Sequence, residues 1–272
     1  MSKKKSLLWE IKKDNIDKGY LFGTMHVSGK VAFSNFKPIY ELIDSCECLA
    51  TEIKLDNESQ REMGKHMTLP SHSSLNELLS DHKFNKYNSE LIKYYNLELK
   101  YFTNIMPLFL LNLITQKSII EDENLLNQSM DLECWNYAQG KGKILGSVES
   151  FEDHINTLYH IPITYQLKAL KSALSNIPKF KRKSKEVLEI YKSQDIHTIY
   201  KSSKKSIGEI KEVLLYKRNF NMVENIELLS QKYKTFFAFG AGHLSGKKGV
   251  IHLLKNKGFQ VTPSDHAELL KM

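Results

Sequence analysis

Short apolar runs separated by polar turns mark both ends of the chain, and helical periodicity fills the middle. Leu7–Ile11 (LLWEI) and Tyr20–Phe22 (YLF) predict an opening pair of strands, joined by the polar segment Lys12–Gly19 with Gly19 at its turn. Pro38 predicts the start of a helix that places Ile39, Leu42 and Ile43 on one face. Cys48–Ile53 (CLATEI) reads as the next strand. From about Asn57 to Gln128 the pattern is helical: Leu75, Leu78 and Leu79 share a face, as do Leu108 and Leu111. Gly140 and Gly142 interrupt it before a predicted strand at Lys143–Val148 (KILGSV). A second helical stretch runs from Phe151 to about Lys232, with Val187, Leu188 and Tyr191 at helical spacing. Thr235–Phe239 (TFFAF) then reads as a buried strand and Gly240–Gly246 as a tight turn. Val250, Leu253 and Leu254 mark a short amphipathic helix capped by Gly258, and Phe259–Thr262 is the closing strand.

This terminal β-α-β unit implies at least one parallel strand pair. The expected fold is therefore α/β: a mixed central sheet built from the N- and C-terminal segments, with a large helical middle packed around it. A single domain over 1–272 is expected, carrying helical insertions at about 57–129 and 151–232. The most apolar stretch, Ile105–Ile114 (IMPLFLLNLI), is far shorter than the roughly 20 residues of a membrane span, so it reads as a buried helix. After the lysines of MSKKK only Leu7, Leu8 and Trp9 precede Glu10, which is too little for the apolar core of a signal peptide. A soluble, cytoplasmic protein without a membrane span is the expectation.

The formal charge of +8 adds one question. Lysines concentrate at 179–185 (KFKRKSK) and 201–205 (KSSKK). No RNP-type aromatic pattern, zinc finger or phosphate-binding loop accompanies them, so they read as solvated helical faces and no nucleic-acid partner is expected. The three cysteines cannot all pair, and Cys46 and Cys48 lie too close for a C-x-x-C motif; reduced thiols are expected.

The candidate chemistry lies in an internal echo. YLFGTMH and FAFGAGH are both aromatic strands that run into G-x-x-H, at Gly23–His26 and Gly240–His243. Gly23, Thr24, Gly240 and Gly242 supply the backbone of the two turns, and glycine lets backbone approach a ligand or another loop closely. A strand-turn-helix puts its loop at the carboxyl edge of a sheet, where open α/β sheets bind ligands. Glu52 is the only charge in the apolar run CLATEI, and a carboxylate there must be paired or bind something. If the three strands are neighbours, His26, Glu52 and His243 converge. Two imidazoles and a carboxylate can hold a divalent ion such as Mn²⁺, Co²⁺ or Zn²⁺ with positions left open. Without metal, the same residues could form a histidine general base oriented by a carboxylate.

Longer blocks of the chain are LWEI, YLFGTMHV at Tyr20–Val27, ATEIKLD at Ala50–Asp56, MDLECWNYAQGKGKILGSVES at Met130–Ser150, KRNFNM at Lys217–Met222 and FAFGAGHLSGKKGVIHLLKNKGFQV at Phe237–Val261. In these blocks the chain resembles the TraB/GumN/Tiki family. These blocks keep the family's order over nearly the whole chain. The resemblance implies a divalent-metal-dependent hydrolase of a peptide or amide bond. His26, Glu52 and His243 would be metal ligands, with Glu52 as ligand or general base. The resemblance also implies a peptide or small-molecule substrate. From its own chemistry, the Arg218 guanidinium could steady an oxyanion or a substrate carboxylate. Related folds leave two alternatives: a metal-free esterase-like hydrolase with His26 as base, and a non-catalytic protein that binds metal, haem or peptide. The chain departs from the family in placing Ser28 before Gly29 after the first motif, and His154 where glutamine is common. Asp131, Glu149 and Asn219 are secondary candidates, Glu149 as a further ligand or supporting acid. His154, His160, His197, His252 and His266 read as structural.

Overall fold

A computed structural model describes residues 5–71, 73–122 and 128–270. Met1–Lys4 of the lysine-rich start and residues 123–127 of the first helical stretch lie outside the described residues. Six strands form one mixed sheet: β1 (Leu8–Lys13), β2 (Ile16–Thr24), β3 (Cys48–Thr51), β4 (Ile144–Ser147), β5 (Thr235–Gly240) and β6 (Gln260–Pro263). Their order is β4-β3-β5-β2-β1-β6. The pairs β4/β3, β3/β5 and β5/β2 are parallel, whereas β1 runs antiparallel to both β2 and β6. This is the expected mixed sheet from the two ends of the chain, with helices around it. β3 and β5 are continuous buried runs except at the final Gly240, the pattern of strands covered on both faces.

The opening hairpin differs from expectation in one detail. Its turn is Asp14–Asn15, both at positive φ, the requirement of a tight hairpin turn. Gly19 instead lies inside β2 at φ +109°, where a Cβ would sit 2.0 Å from the Thr235 carbonyl oxygen. Parallel pairing of β2 with β5 therefore requires the glycine that the sequence pattern assigns to a turn.

The chain divides into two compact units. The first holds residues 1–56, 127–157 and 188–272 and contains the sheet. The second holds residues 57–126 and 158–187 and is helical. Its core includes Leu75, Tyr87, Leu91, Leu110, Ile114, Leu170 and Ile177. From Pro107 onward the apolar segment Ile105–Ile114 is part of its helix Pro107–Ile119. The second helical stretch is thus shared: from residue 188 onward its helices belong to the sheet unit. Cys46, Cys48 and Cys134 are free and buried. Among the described residues no helix is long and apolar enough to cross a membrane.

Candidate active site

Because β2, β3, β4 and β5 are mutually parallel, their carboxyl ends share one edge of the sheet. Each is followed there by a candidate residue: His26 after β2, Glu52 after β3, Glu149 after β4 and His243 after β5. Backbone bonds continue the ladder beyond the strands, Val148 N–H to Thr51 O at 2.9 Å and Glu149 N–H to Glu52 O at 2.9 Å, so the two glutamates leave the sheet side by side. The two G-x-x-H turns pack directly on each other. A Cβ at Gly23 would lie 2.5 Å from Leu244 Cδ1 and 3.0 Å from Ala241. Tyr191, fully buried, donates its hydroxyl to Gly23 O at 2.7 Å and holds the first turn from the other side.

Arg218 organises the carboxylates. Its Nε donates to Glu149 Oε1 and its Nη2 to Glu149 Oε2, both at 2.8 Å, a two-pronged pairing, and Nη2 also bonds Glu52 Oε1. The guanidinium is placed by an irregularity. Residues Glu212–Lys217 are wound as a π-helix and pass into the α-helix Arg218–Lys232 at Arg218 itself. Such wide turns rotate the following residues relative to a regular helix and recur at functional sites. His154, on the helix Phe151–Tyr159 after β4, completes the group with Nδ1 2.9 Å from Glu149 Oε2 and 3.9 Å from Glu52 Oε1. Donor atoms of Glu52, Glu149 and His154 all lie within 4.8 Å of one another, a spacing that could hold a metal ion. Side-chain exposure is 1% for Glu149 and 11% for Arg218, so these charges survive burial by mutual pairing. Burial alone would raise the carboxyl of Glu52, but Arg218, His243, His154 and His26 together hold it well below the ordinary range. Glu149 is likewise lowered against burial, by His154 and Arg218.

His243 is fixed by a chain of hydrogen bonds. Asn219 Nδ2 donates to Lys248 O at 2.6 Å, so Asn219 Oδ1 faces His243 Nδ1 at 2.6 Å and must accept from it. The proton therefore resides on Nδ1 and Nε2 carries the lone pair. Burial, reinforced by Arg218, pushes this imidazole down to about 4, so it is neutral at physiological pH. Its ring borders a space left by Gly240: a Cβ there would stand 3.5 Å from His243 Cδ2 and 3.6 Å from Glu52 Oε2.

His26 is exposed, yet it acts electrostatically on both Glu52 and Asp131. Asp131 stands in the first turn of the helix Met130–Gly140, which the first motif anchors through Met130 N–H to Val27 O at 2.9 Å. Thr24 donates its hydroxyl to Asp131 Oδ1 at 2.7 Å, while the buried Oδ2 has no hydrogen-bond partner among the described residues. Burial raises the Asp131 carboxyl to about 6. Gly242 lies against Ser203, 3.1 Å from its hydroxyl for an added Cβ. Of the residues singled out in the sequence, Glu52, Glu149 and Arg218 are in mutual contact, and Asn219 with His243 forms an adjoining pair. His154 stands in this group although sequence spacing read it as structural. The available signal is its place in the helix that starts right after Glu149, at the same sheet edge.

The model of the TraB/PrgY/gumN family matches residues 7–263. The chain belongs to this family. Among curated relatives of this TraB-family chain, a metalloprotease TIKI homolog of Amphimedon queenslandica is 25% identical, over 89% of this chain and 58% of the relative. Metalloprotease TIKI2 of Danio rerio is 21% identical over 94% of this chain and 60% of its own length. Metalloprotease TIKI1 of Xenopus tropicalis is 24% identical over 94% and 61%. The chain thus spans about three fifths of the length of these relatives. No solved structure matches.

Proposed function

We propose that this chain is a divalent-metal-dependent hydrolase of a peptide or amide bond, with Glu52, His243 and His26 as metal donors. The observation that carries this reading is the division of Glu52. Its Oε1 is committed to Arg218, while Oε2 faces the Gly240 space that borders the His243 ring and takes only a long 3.4 Å contact from Gly240 N–H. A carboxylate oxygen and the edge of an imidazole ring bordering one space left by a glycine fit the donor chemistry of Mn²⁺, Co²⁺ or Zn²⁺. A metal-ligating histidine ordinarily donates its second ring N–H to a fixed acceptor, and Asn219 supplies that acceptor here. Glu149 is a poorer donor, since both its oxygens are engaged by Arg218 and one also by His154. The metalloprotease names of the relatives support the same class.

A metal held there would supply Lewis acidity for attack on an amide carbonyl. The residues of the chain do the rest. Arg218 and Glu149 keep Glu52 ionised and orient it, which makes Arg218 a positioning residue. Asn219 keeps His243 in one tautomer. His243, pushed down to about 4, is a poor general base near neutral pH, so a metal-free mechanism would rest on His26. Asp131, held by Thr24 and adjoining His26 electrostatically, is the candidate second acid of the site.

The test is metal analysis and hydrolysis of a peptide library by the wild type, His243→Ala and Glu149→Gln, with Mn²⁺, Co²⁺ and Zn²⁺ added back to chelated protein. The reading expects His243→Ala to lose metal and turnover together, and Glu149→Gln to retain metal. The reverse pattern would move the ion to the Glu52, Glu149 and His154 cluster. Full activity of the wild type in chelator would overturn metal dependence.

A further inference from the structure

A second concavity opens in the sheet unit on the other flank of the 240–246 turn. Its volume is about 550 Å³, within the range of small-molecule sites of roughly 300–1,000 Å³. Trp9 at the start of β1 and Val261 and Pro263 of β6 form one apolar wall, and Ile251 of the helix Val250–Asn256 contributes another. The rim carries the basic side chains Lys247, Lys255 and His252. No Asp or Glu is among the described residues that line it. At the floor Ser245, 4% exposed, keeps its hydroxyl 2.6 Å from His197 Nδ1, a polar pair set into an otherwise apolar surface. None of His26, Glu52, His243, Glu149, His154 or Arg218 lines it, so it is not part of the candidate metal centre.

We propose that this cleft is a binding site for a small organic anion, a carboxylate or phosphate carried on an apolar body. Apolar walls would cover the body by removing it from water. Lys247 and Lys255, both exposed and flexible, would meet the anionic group at the rim, and Ser245 with His197 would supply polar contacts below. An acid-free lining makes the preference one of sign: a neutral analogue of the same shape keeps the apolar contacts and loses the charge-assisted ones. The cleft includes Leu244, Ser245 and Gly246, which continue directly from His243, so its occupant would rest against the second G-x-x-H turn. The proposal does not depend on the hydrolase reading.

The test is calorimetric titration of the full chain with 4-phenylbutyrate, phenyl phosphate and the neutral 4-phenylbutyramide. Expected is saturable binding of at least one anion at one per chain, with the amide weaker by about tenfold or more, the value of one charge-assisted hydrogen bond. Binding should shift the backbone amide resonances of Ser245, Gly246, Ile251 to Lys255, Val261 and Thr262. The exposed double substitution Lys247→Gln/Lys255→Gln should weaken the anion by a similar factor without changing the melting temperature, and Ile251→Trp should block it by filling the cleft. Absence of binding at millimolar anion would overturn the proposal, as would equal affinity for the amide or resonance shifts confined to other surfaces. Adventitious contact of the anions with surface lysines would show as shifts scattered over both units and would equally overturn it.

Discussion

Glu52 and His243 show how single residues are prepared for chemistry by partners on other elements. The glutamate is oriented by Arg218, and the histidine by Asn219, the next residue on the same helix. One helix start thus sets the geometry of both candidate donors. Asn219→Ala removes the acceptor of the Nδ1 proton and frees the ring to rotate or change tautomer. Supporting residues of this kind typically cost about 10–100-fold in metal affinity or activity when removed. Asn219→Ala should therefore weaken metal binding in that range while leaving the circular dichroism spectrum intact. An unchanged metal affinity on titration would mean that His243 is not a donor.

At the scale of elements, the two turns depend on different glycines for different reasons. Gly23 is packed against Leu244 and the Ala241 backbone, so Gly23→Ala must push the second turn away; overpacking of this type costs typically about 1–3 kcal/mol. Gly240 has ordinary φ and ψ of −49° and 128°, and its prospective Cβ meets neighbours only at normal contact distance. Gly240→Ala should leave stability nearly unchanged in urea unfolding yet reduce metal affinity, since the methyl would occupy the space between Glu52 Oε2 and His243. Equal stability losses in the two variants would contradict this division of roles. Much of this level is legible in the sequence. The aromatic strands, the G-x-x-H turns and the lone glutamate of CLATEI are local patterns; that the strands carrying them are parallel neighbours comes from the sheet order. What could not be read there depends on register and on helix phase. Gly19 looks like a turn residue because the sequence does not reveal that Thr235 will lie against it. His154 looks unremarkable because its contact with Glu149 needs the ladder bond between Glu149 and Glu52 first. Arg218 faces the carboxylates through a π-helical stretch whose sequence, EVLLYK, is ordinary helix.

Across the whole molecule, the buried groups with opposed titrations sit in the sheet unit at one edge, whereas Glu62 and Glu121 of the helical unit keep contact with water. Acid sensitivity should therefore belong to the sheet unit, which also holds both tryptophans, Trp9 and Trp135, so that tryptophan fluorescence reports on it alone. The signs differ between residues. His243 titrates at about 4 folded against an ordinary 6.5, because burial and Arg218 disfavour its cation; the unfolded chain binds its proton first, so this contribution is complete above pH 6.5 and is lost as pH falls toward 4. Asp131 is the opposite. Burial raises it to about 6 from an ordinary 3.8, so its protonated form stabilises the fold fully below pH 3.8, and that contribution is lost as pH rises through 6. Between pH 7.5 and 4.5 the two contributions therefore oppose each other. Glu52 and Glu149, both lowered, add a loss only below the ordinary carboxylate range near 4.5. Chelated wild-type protein should accordingly show a urea midpoint, followed by tryptophan fluorescence, whose change from pH 7.5 to 4.5 lies between those of the two single variants, then a steep decline below about 4.5. Asp131→Asn removes the compensating contribution and should make the fall on acidification steeper than in the wild type. His243→Gln removes the other and should make the protein more stable at pH 4.5 than at 7.5. If both variants keep the wild-type profile, the two groups do not titrate against each other and the burial assigned to them at the sheet edge is wrong.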